Sequence, residues 1–258
     1  MARGRPDGPG RRWRVTADPH THTRHSHGKG TVLENARAAA RRGLEAVGIT
    51  DHGPGSLPWI GVRSPETYEE IRAEAESASR ATGVRVLVGA EANVMTPGGD
   101  LDLDRRVLDR LDLVLVGLHL MIRPAGLDGA RLLVRNVAPW RWSARVRARA
   151  RTANTKALVE AVRRHPVDIV VHPGLHLPVD TPELARACAS RGTRLEISSA
   201  HSETDEAYVR AAAKEGVDFV LSSDAHSPDR VGDLSAALRV AERAGLDPER
   251  VWNVAGPV

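Results

Sequence analysis

The sequence predicts an α/β fold built on a largely parallel β-sheet. Short runs rich in β-branched and apolar residues alternate with longer segments of helical periodicity along nearly the whole chain. Runs such as LVLV and DIVV are continuously apolar, which is typical of parallel strands buried on both faces. Repeated right-handed βαβ crossovers either curl such a sheet into a barrel or stack it as a doubly wound layer. The chain has 258 residues and no low-complexity linker, so one large domain accounts for it.

Seven strand signals follow one another along the chain. They lie at residues 14–20, 46–52, 85–94, 113–119, 168–174, 193–201 and 218–226. Segments with a helical period lie between most of them, at residues 31–43, 64–83, 152–165, 181–192, 204–216 and 229–245. This alternation of strand and helix is the one that parallel crossovers require.

Composition narrows the class of protein and its compartment. Hydrophobic residues make up 41% of the chain and charged residues 27%, which is typical of a globular domain. The single cysteine, Cys188, excludes an intrachain disulfide and a cysteine-rich zinc site, so we expect a reducing cytoplasm. No run is apolar for long enough to span a bilayer, and we expect residues 1–12 to be a disordered tail.

The C-terminal ends of the predicted strands carry residue types that bind metals. They are His20 and His22, Asp51 and His52, Glu91, His119, His172, and Asp224 with His226. In a βα barrel these strand ends converge on one mouth, so the side chains would share a small volume. Burying them unpaired is costly, whereas divalent cations neutralise the carboxylates and bind the imidazole lone pairs. The recurrence at six of seven strand ends therefore predicts a metal centre.

The remaining histidines do not carry this signal equally. A lone histidine is more often a hydrogen-bonded group than a ligand, and this interpretation fits His165 at a helix end and His176 and His201 in loops. His25 stands in the same histidine-rich run as His27. It could replace His27 as a ligand, or it could contact a substrate.

The ordered motifs HTHT, ITDHGPG, VGAEANV, GLH, VVHPG and SSDAH resemble those of the PHP (polymerase and histidinol phosphatase) superfamily, most closely its YcdX-like phosphatase branch. The resemblance runs from about residue 14 to the final NVAGPV. It implies a distorted (β/α)7 TIM-like barrel and a single PHP domain over residues 13–258. It further implies three divalent metal ions, first of all zinc and otherwise manganese or iron, and the hydrolysis of phosphoesters.

The resemblance also implies a set of ligands. One ion would be held by His20, His22, Glu91 and Asp224, a second by Glu91 as a bridge with His119 and His172, and the third by His27, His52 and His226. Imidazole and carboxylate donors suit zinc, manganese or iron better than magnesium or calcium. With Glu91 and Asp224 as the catalytic carboxylates, two ions about 4 Å apart would share a hydroxide as the nucleophile. The third ion would bind a phosphate oxygen.

Other residues of the same motifs are candidates for supporting the ligands. Asp18 and Asp51 could accept the second imidazole N–H of His20 and His52 and so fix their tautomers. Asp51 could equally cap the loop that follows it. Residues 53–55 fit a tight turn beside the metals, where a side chain would crowd the substrate.

Residues 123–151 form an insertion rich in arginine and tryptophan. It begins soon after His119, so it should hang over the barrel mouth. It could be a lid whose arginines bind a phosphate or a nucleic-acid backbone while Trp140 and Trp142 stack on a ring. We favour the alternative of a solvated helical insertion, because the basic character is general, with a net charge of +4.

Three functions are consistent with these features. We favour a metal-dependent phosphoesterase that hydrolyses a phosphate monoester of a small metabolite or a nucleotide. A 3′ exonuclease or DNA-repair nuclease is the alternative, which the basic insertion keeps open although the sequence contains no polymerase domain. A non-catalytic metal-binding scaffold is the third, and the complete ligand set argues against it. We expect a small phosphorylated partner rather than a nucleic acid, and no membrane.

Overall fold

Seven parallel strands form a nearly closed barrel in the computed structural model, which describes residues 13–137 and 143–255. In chain order the strands are β1 (Arg14–Val15), β2 (Ala17–Thr21), β3 (Ala46–Ile49), β4 (Arg85–Asn93), β5 (Leu113–Gly117), β6 (Ile169–Val170), β7 (Arg194–Ser198), β8 (Phe219–Ser222) and β9 (Val254–Ala255). Strands β2 to β8 form the barrel in sequential order, and each neighbouring pair is parallel. The predicted α/β class and (β/α)7 barrel are confirmed.

The barrel closes through a short contact between β2 and the residues after β8. Thr21 and Ala225 form an isolated parallel bridge, and the backbone N–H of His22 donates to the carbonyl of Ala225 at 2.8 Å. This contact lies at the C-terminal ends of both strands. It therefore holds the histidine-rich segment after β2 beside the segment that carries Asp224 and His226.

Eight helices of the described ranges surround the barrel. They are α1 (Val32–Arg41), α2 (Thr67–Thr82), α3 (Arg105–Leu108), α4 (Gly126–Val137), α5 (Ala144–Arg164), α6 (Thr181–Arg191), α7 (Glu206–Ala213) and α8 (Ser235–Ala244). Helix α1 begins with a capping box, in which Thr31 accepts from the Glu34 N–H and the Glu34 carboxylate accepts from the Thr31 N–H. Asp180 caps α6 by accepting from the Glu183 N–H.

The hydrophobic core has two parts, one on each face of the barrel sheet. Val114 and Val116 of β5 belong to the larger cluster, which packs the sheet against the helices. Leu113 and Leu115 alternate with them and belong to a smaller cluster with Ile169, Val171 and Val220. Since side chains alternate between the faces of a strand, the smaller cluster fills the barrel interior.

The described part of the insertion comprises α4 and the beginning of α5, which continues through the helix predicted at residues 152–165. The two helices are joined by reciprocal side-chain amide hydrogen bonds between Asn136 and Asn154, at 2.9 and 3.0 Å. Asn154 also donates to the carbonyl of Pro178, in the loop after β6. The predicted stacking residues Trp140 and Trp142 lie outside the described residues, so their placement stays a prediction.

The two ends of the chain meet beside the barrel. Strands β1 and β9 form a separate antiparallel ribbon, in which Arg14 pairs with Ala255 and Val15 with Val254. The tail predicted for residues 1–12 lies outside the described residues. Within the described ranges, no helix has both the length and the apolar character needed to cross a membrane.

Candidate metal centre

The carboxylate of Glu91 lies at the centre of the histidine cluster. It is fully buried near the end of β4. Its Oε1 lies 2.9 Å from His119 Nε2 and 2.8 Å from His172 Nε2. Its Oε2 lies 2.8 Å from His52 Nδ1, and 3.4 Å from His20 Nε2. One carboxylate thus contacts donors from four other strand ends, as a bridging ligand would.

Asp224 forms a second carboxylate centre on the opposite side of β2. Its Oδ1 lies 3.1 Å from His22 Nε2 and 3.5 Å from His20 Nε2. Its Oδ2 lies 2.7 Å from Nε2 of His201. The Nε2 atoms of His20 and His22 are themselves 3.1 Å apart. These donors therefore face a common point between Glu91 and Asp224.

The rings of His27, His52 and His226 pack together at the outer side of the cluster. The ring of His27 lies 4.9 Å from that of His52 and 4.3 Å from that of His226, centroid to centroid. His22 stacks on both His52 and His226, at 4.5 and 4.3 Å. By contrast, His25 turns away and its Nε2 lies 3.0 Å from Oε1 of Glu74 on α2. The structure therefore places His27, rather than His25, with the predicted ligands.

Burial and mutual contact set the protonation of these groups. Burial raises the pKa of Glu91, but the charges of His52 and His119 more than reverse this, and the net pKa lies well below the usual range. Burial and the charge of His52 hold the pKa of His22 well below its ordinary value. Burial and the charge of His226 lower the pKa of His27 to about 4. Glu91 is thus ionised and His22 and His27 are neutral, which are the forms that bind metals. Burial lowers the pKa values of His20 and His172, but the nearby carboxylates raise both above the ordinary value, so an ion at these rings would displace a proton.

Glu196, which the sequence analysis did not single out, orients two of the predicted ligands. This fully buried residue of β7 accepts from Nδ1–H of His20 at 2.7 Å through Oε1. Its Oε2 accepts from the backbone N–H of His172 at 2.5 Å. Ser222 donates to it as well, at 2.6 Å. With Nδ1 of His20 protonated in this way, its Nε2 lone pair faces the cluster.

Asn93 orients His119 in the same way. Its Oδ1 accepts from Nδ1–H of His119 at 2.8 Å, which leaves the Nε2 lone pair facing Glu91. The Asn93 side-chain amide donates to Asp102 at 2.5 Å and to Ser56 at 3.0 Å. Because these two acceptors fix which end of the amide is the nitrogen, the orientation of the His119 ring is fixed too.

The suggestion that Asp18 and Asp51 orient the rings of His20 and His52 was wrong, and the loop that Asp51 caps precedes it in the chain rather than following it. Asp18 accepts from the backbone and hydroxyl of Ser223 and from the N–H of Gly232, at 2.5–3.1 Å. Asp51 accepts from the backbone and hydroxyl of Thr23 and from the hydroxyl of Ser26. Hydroxyl and amide groups occupy both carboxylates. Asp51 therefore stabilises the histidine-rich loop and does not orient a histidine ring.

The glycines after His52 make room for the side chain of Asp102 rather than for a substrate. A Cβ atom on Gly55 would lie 2.6 Å from the Cβ of Asp102, and one on Gly53 would collide with the same side chain. The backbone N–H of Gly55 donates to Asp102 at 2.8 Å. These glycines therefore let the turn approach the residue that holds Asn93.

The three histidines interpreted as ordinary hydrogen-bonding groups lie in different places. Nε2 of His165 lies 3.1 Å from the carbonyl oxygen of Gly99, away from the cluster. His176 is exposed in the loop after β6, with a left-handed φ of 56°. His201 lies in the loop after β7, where its ring is 5.2 Å from that of His172 and contacts Asp224. Its place three residues after the end of β7 was the signal that could have found it.

A cavity of about 350 Å³ opens onto this cluster. Six of its lining residues are ligand candidates and form the floor, namely His27, His52, His119, His172, Asp224 and His226. A second cavity of about 330 Å³ adjoins it and shares His176. Arg135 and Arg147 of the insertion line this second cavity. The described part of the insertion thus stands beside the mouth.

Comparison with known proteins identifies relatives over nearly the full chain. The PHP domain family matches residues 18–252. A probable phosphatase of Thermoanaerobacter sp. (strain X514) is 32% identical over 250 residues, which cover 93% of this chain and 91% of the relative. A probable phosphatase of Caldanaerobacter subterraneus is 33% identical over 252 residues, covering 93% and 87%.

A solved structure shares the fold. The histidinol phosphate phosphatase of Lactococcus lactis, crystallised with zinc, L-histidinol and phosphate, superposes with a TM-score of 0.62 at 16% identity. The match covers 90% of this chain and 95% of that protein. Fold, cluster and relatives together define a metal-dependent hydrolase. The chain belongs to the PHP domain family.

Proposed function

We propose that the protein is a phosphatase that hydrolyses the phosphate monoester of a small phosphorylated molecule at a site for three divalent ions. The observation that carries this is the convergence of nine candidate ligands from six strand ends, of which six line one cavity and three lie buried beneath it. The relatives named as phosphatases support the reaction class. The zinc and phosphate of the Lactococcus lactis structure are consistent with it.

The donor set fits metal ions better than hydrogen bonding alone. Several buried atoms that could bind a metal have no hydrogen-bond partner. They include Nδ1 of His22, His27 and His52, and Oε2 of Glu91. His52 Nδ1 and Glu91 Oε2 are close, at 2.8 Å, yet are not aligned for a hydrogen bond. Two imidazole nitrogens on one tetrahedral zinc lie about 3.3 Å apart, given Zn–N bonds of about 2.0–2.1 Å. The 3.1 Å between His20 and His22 is close to that value.

The ligand assignment expected from the family is compatible with these contacts. The first ion would take His20, His22, Glu91 and Asp224, the second Glu91, His119 and His172, and the third His27, His52 and His226. Groups whose donor atoms lie within 4.8 Å of one another include His20, His22 and Asp224, and also His52, Glu91 and His119. His22 and His52 each belong to two such groups, so the three sites adjoin.

The chain itself prepares the donors. Glu196, Asn93 and the carbonyl of Asp224 accept from Nδ1–H of His20, His119 and His226, so that each Nε2 lone pair faces the cluster. Bound ions would supply Lewis acidity, which activates water near neutral pH and stabilises charge on the phosphate. Glu91 and Asp224 keep negative charge beside the ions and thereby hold them close together.

The cavity favours a small substrate over a polynucleotide. Its volume of about 350 Å³ lies near the lower end of small-molecule sites, which span about 300–1,000 Å³. The exposed arginines of α5 at 145, 149 and 151 do not line it, and Arg135 and Arg147 line the adjoining cavity rather than this one. An exonuclease, the alternative, would need a basic track leading to the cluster. A scaffold without activity would not need an open cavity over the ligands.

Elemental analysis of protein purified without chelator tests the metal content. We expect about three ions per chain, zinc foremost, with manganese or iron as the alternatives. Chelation should lower the melting temperature, because ions that bind only the folded state stabilise it. One ion or none, with no recovery on adding zinc or manganese, would refute the trinuclear site.

Activity is tested with a panel of phosphate monoesters and a 3′-labelled single-stranded DNA. We expect metal-dependent release of phosphate from monoesters, with weak salt dependence since one phosphate is engaged. A polynucleotide would show a steep log–log dependence on salt. Metal-dependent 3′ exonuclease activity that needs both Glu91 and the α5 arginines would replace the phosphatase proposal.

A further inference from the structure

One side of the cavity above the metal ligands is apolar. The described residues that line it and are not ligands include Ile60, Leu118, Leu120, Met121, Leu175 and Leu177. They come from three loops, which follow β3, β5 and β6. Since the histidine floor would hold the phosphoryl group, these side chains surround the rest of the substrate. We call these six residues the apolar wall.

The apolar wall is held in place by hydrogen bonds between its loops and the fold. The backbone N–H of Leu57 donates to the carbonyl of Met121 at 2.9 Å, which ties the loop after β3 to the loop after β5. The loop after β6 is fixed by Asn154, which donates to Pro178 at 3.1 Å. Asp180, at its end, donates its backbone N–H to Thr155 at 2.8 Å. The wall is therefore formed before a substrate binds.

The chemistry of the lining defines what it can accept. Among the described lining residues, the aromatic rings are imidazoles only, so a nucleobase has no Phe, Tyr or Trp on which to stack. Asp224 is the one lining carboxylate in that part of the chain, and His22 and His201 already contact it. The Ser56 hydroxyl accepts from Asn93. Ser56, His176 and His201 are the other polar lining residues of the described chain that are not ligand candidates. A substrate with several hydroxyl or ammonium groups would therefore lose more hydrogen bonds to water than it could regain.

We propose, resting on the proposed phosphatase function, that the substrate is the monoester of an alcohol with an uncharged, apolar body. In the reaction a water oxygen bonds to phosphorus, the ester P–O bond breaks, and the alcohol leaves with one proton from that water. The apolar body packs on Leu120, Met121 and the rest of the wall. Sugar phosphates, nucleotides and amino-alcohol phosphates fit the apolar wall less well, because their polar groups would lose water there.

Three primary-alcohol monoesters test this without a difference in the type of leaving group. They are 3-methylbutyl phosphate, glycerol 3-phosphate and L-histidinol phosphate, each assayed for kcat/KM with the metal-loaded protein. We expect 3-methylbutyl phosphate to be favoured by about 100-fold, the discrimination that an unpaired polar group can produce. Equal values, or a preference for the hydroxylated or charged ester, would overturn the inference.

Two variants test whether the apolar wall causes the preference for the apolar monoester. Met121→Gln and Leu120→Gln replace wall residues by polar residues of similar length, and Met121 is 53% exposed, so its variant should fold. We expect each to reduce the preference about tenfold. Val134→Gln on α4 is the matched control, because Val134 is 48% exposed and does not line the cavity. An unchanged preference in both wall variants would contradict the assignment of the wall.

Unreactive analogues separate this inference from the phosphatase proposal. Calorimetry with 3-methylbutylphosphonate and 2,3-dihydroxypropylphosphonate measures binding alone. Tighter binding of the apolar phosphonate supports the wall even if no monoester is hydrolysed, an outcome that would refute only the proposed reaction. Hydrolysis of monoesters together with equal binding of the two phosphonates would refute the wall and leave the reaction standing.

Discussion

Replacement of Glu196 by glutamine tests how the fold controls the metal ligands. The carboxylate accepts three hydrogen bonds, from the ring of His20, the backbone of His172 and the hydroxyl of Ser222. A glutamine of the same size has one oxygen and one NH₂ group. Its NH₂ must face either the His20 ring or the His172 N–H, both of which are donors in the native protein.

The size of the effect follows from the bond that is lost. If the NH₂ faces His20, the ring must change tautomer, and its Nε2 then carries the proton where the lone pair should face Glu91 and Asp224. A hydrogen bond to a charged group contributes about 1.5–3 kcal/mol, and each 1.4 kcal/mol is a factor of ten in an equilibrium constant. We therefore expect Glu196→Gln to weaken zinc binding by about 10- to 100-fold, the range found for residues that orient metal ligands.

The assay is competitive zinc titration against a chelating dye, with Glu76→Gln as the control. Glu76 lies exposed on α2, so its variant carries the same chemical change away from the site. Circular dichroism of the metal-free proteins shows whether the fold is kept. Native zinc affinity in a folded Glu196→Gln protein would show that the orientation of His20 does not depend on this carboxylate.

Three further outcomes follow from the structure. Glu91→Gln should reduce kcat by several orders of magnitude, because Glu91 would bridge two ions, whereas His165→Ala should leave kcat nearly unchanged; steady-state kinetics distinguishes them. Gly55→Ala should destabilise the protein by about 1–3 kcal/mol, since its Cβ would lie 2.6 Å from that of Asp102, and an unchanged urea midpoint would contradict this. The pKa of His27 falls from 6.5 to about 4 on folding, so between these two pH values the unfolded chain binds more protons than the folded protein. The urea midpoint of the metal-free protein should therefore decrease as the pH is lowered from 6.5 to 4. A flat profile would count against the partly buried position of His27.

The sequence was sufficient for the barrel and for where the site lies. The alternation of apolar runs and helical segments predicts seven strands in a parallel sheet, and the resemblance to the PHP superfamily favours a barrel over a doubly wound layer. The parallel strands of a barrel place all their C-terminal ends on one mouth. A histidine at such an end, as at His119 or His172, therefore lies near the others whatever the details of packing. The ligand roles of the individual residues remain predictions.

The partners of those side chains could not be read from the sequence, because they depend on distances across the barrel. Adjacency in sequence suggested Asp18 for His20, whereas Glu196 reaches that ring from a strand 176 residues away in the chain. An acid in the middle of a buried strand was a usable signal, since a carboxylate there needs donors around it. Asn93 gave no such signal, because its role depends on where Asp102 and Ser56 place its amide.

The backbone at two of the predicted ligand positions would link metal binding to the conformation of the chain. His172 and Asp224 have φ values of 29° and 49°, where an L-residue is strained by about 1–3 kcal/mol. This bend turns the residue after the strand inward, toward the cluster. An ion held by these side chains would stabilise the bent conformation relative to relaxed ones. Metal binding and the local backbone conformation would then be coupled. Loss of the ions would then first relax the backbone at the ends of β6 and β8. The mouth would open locally while the barrel stays folded.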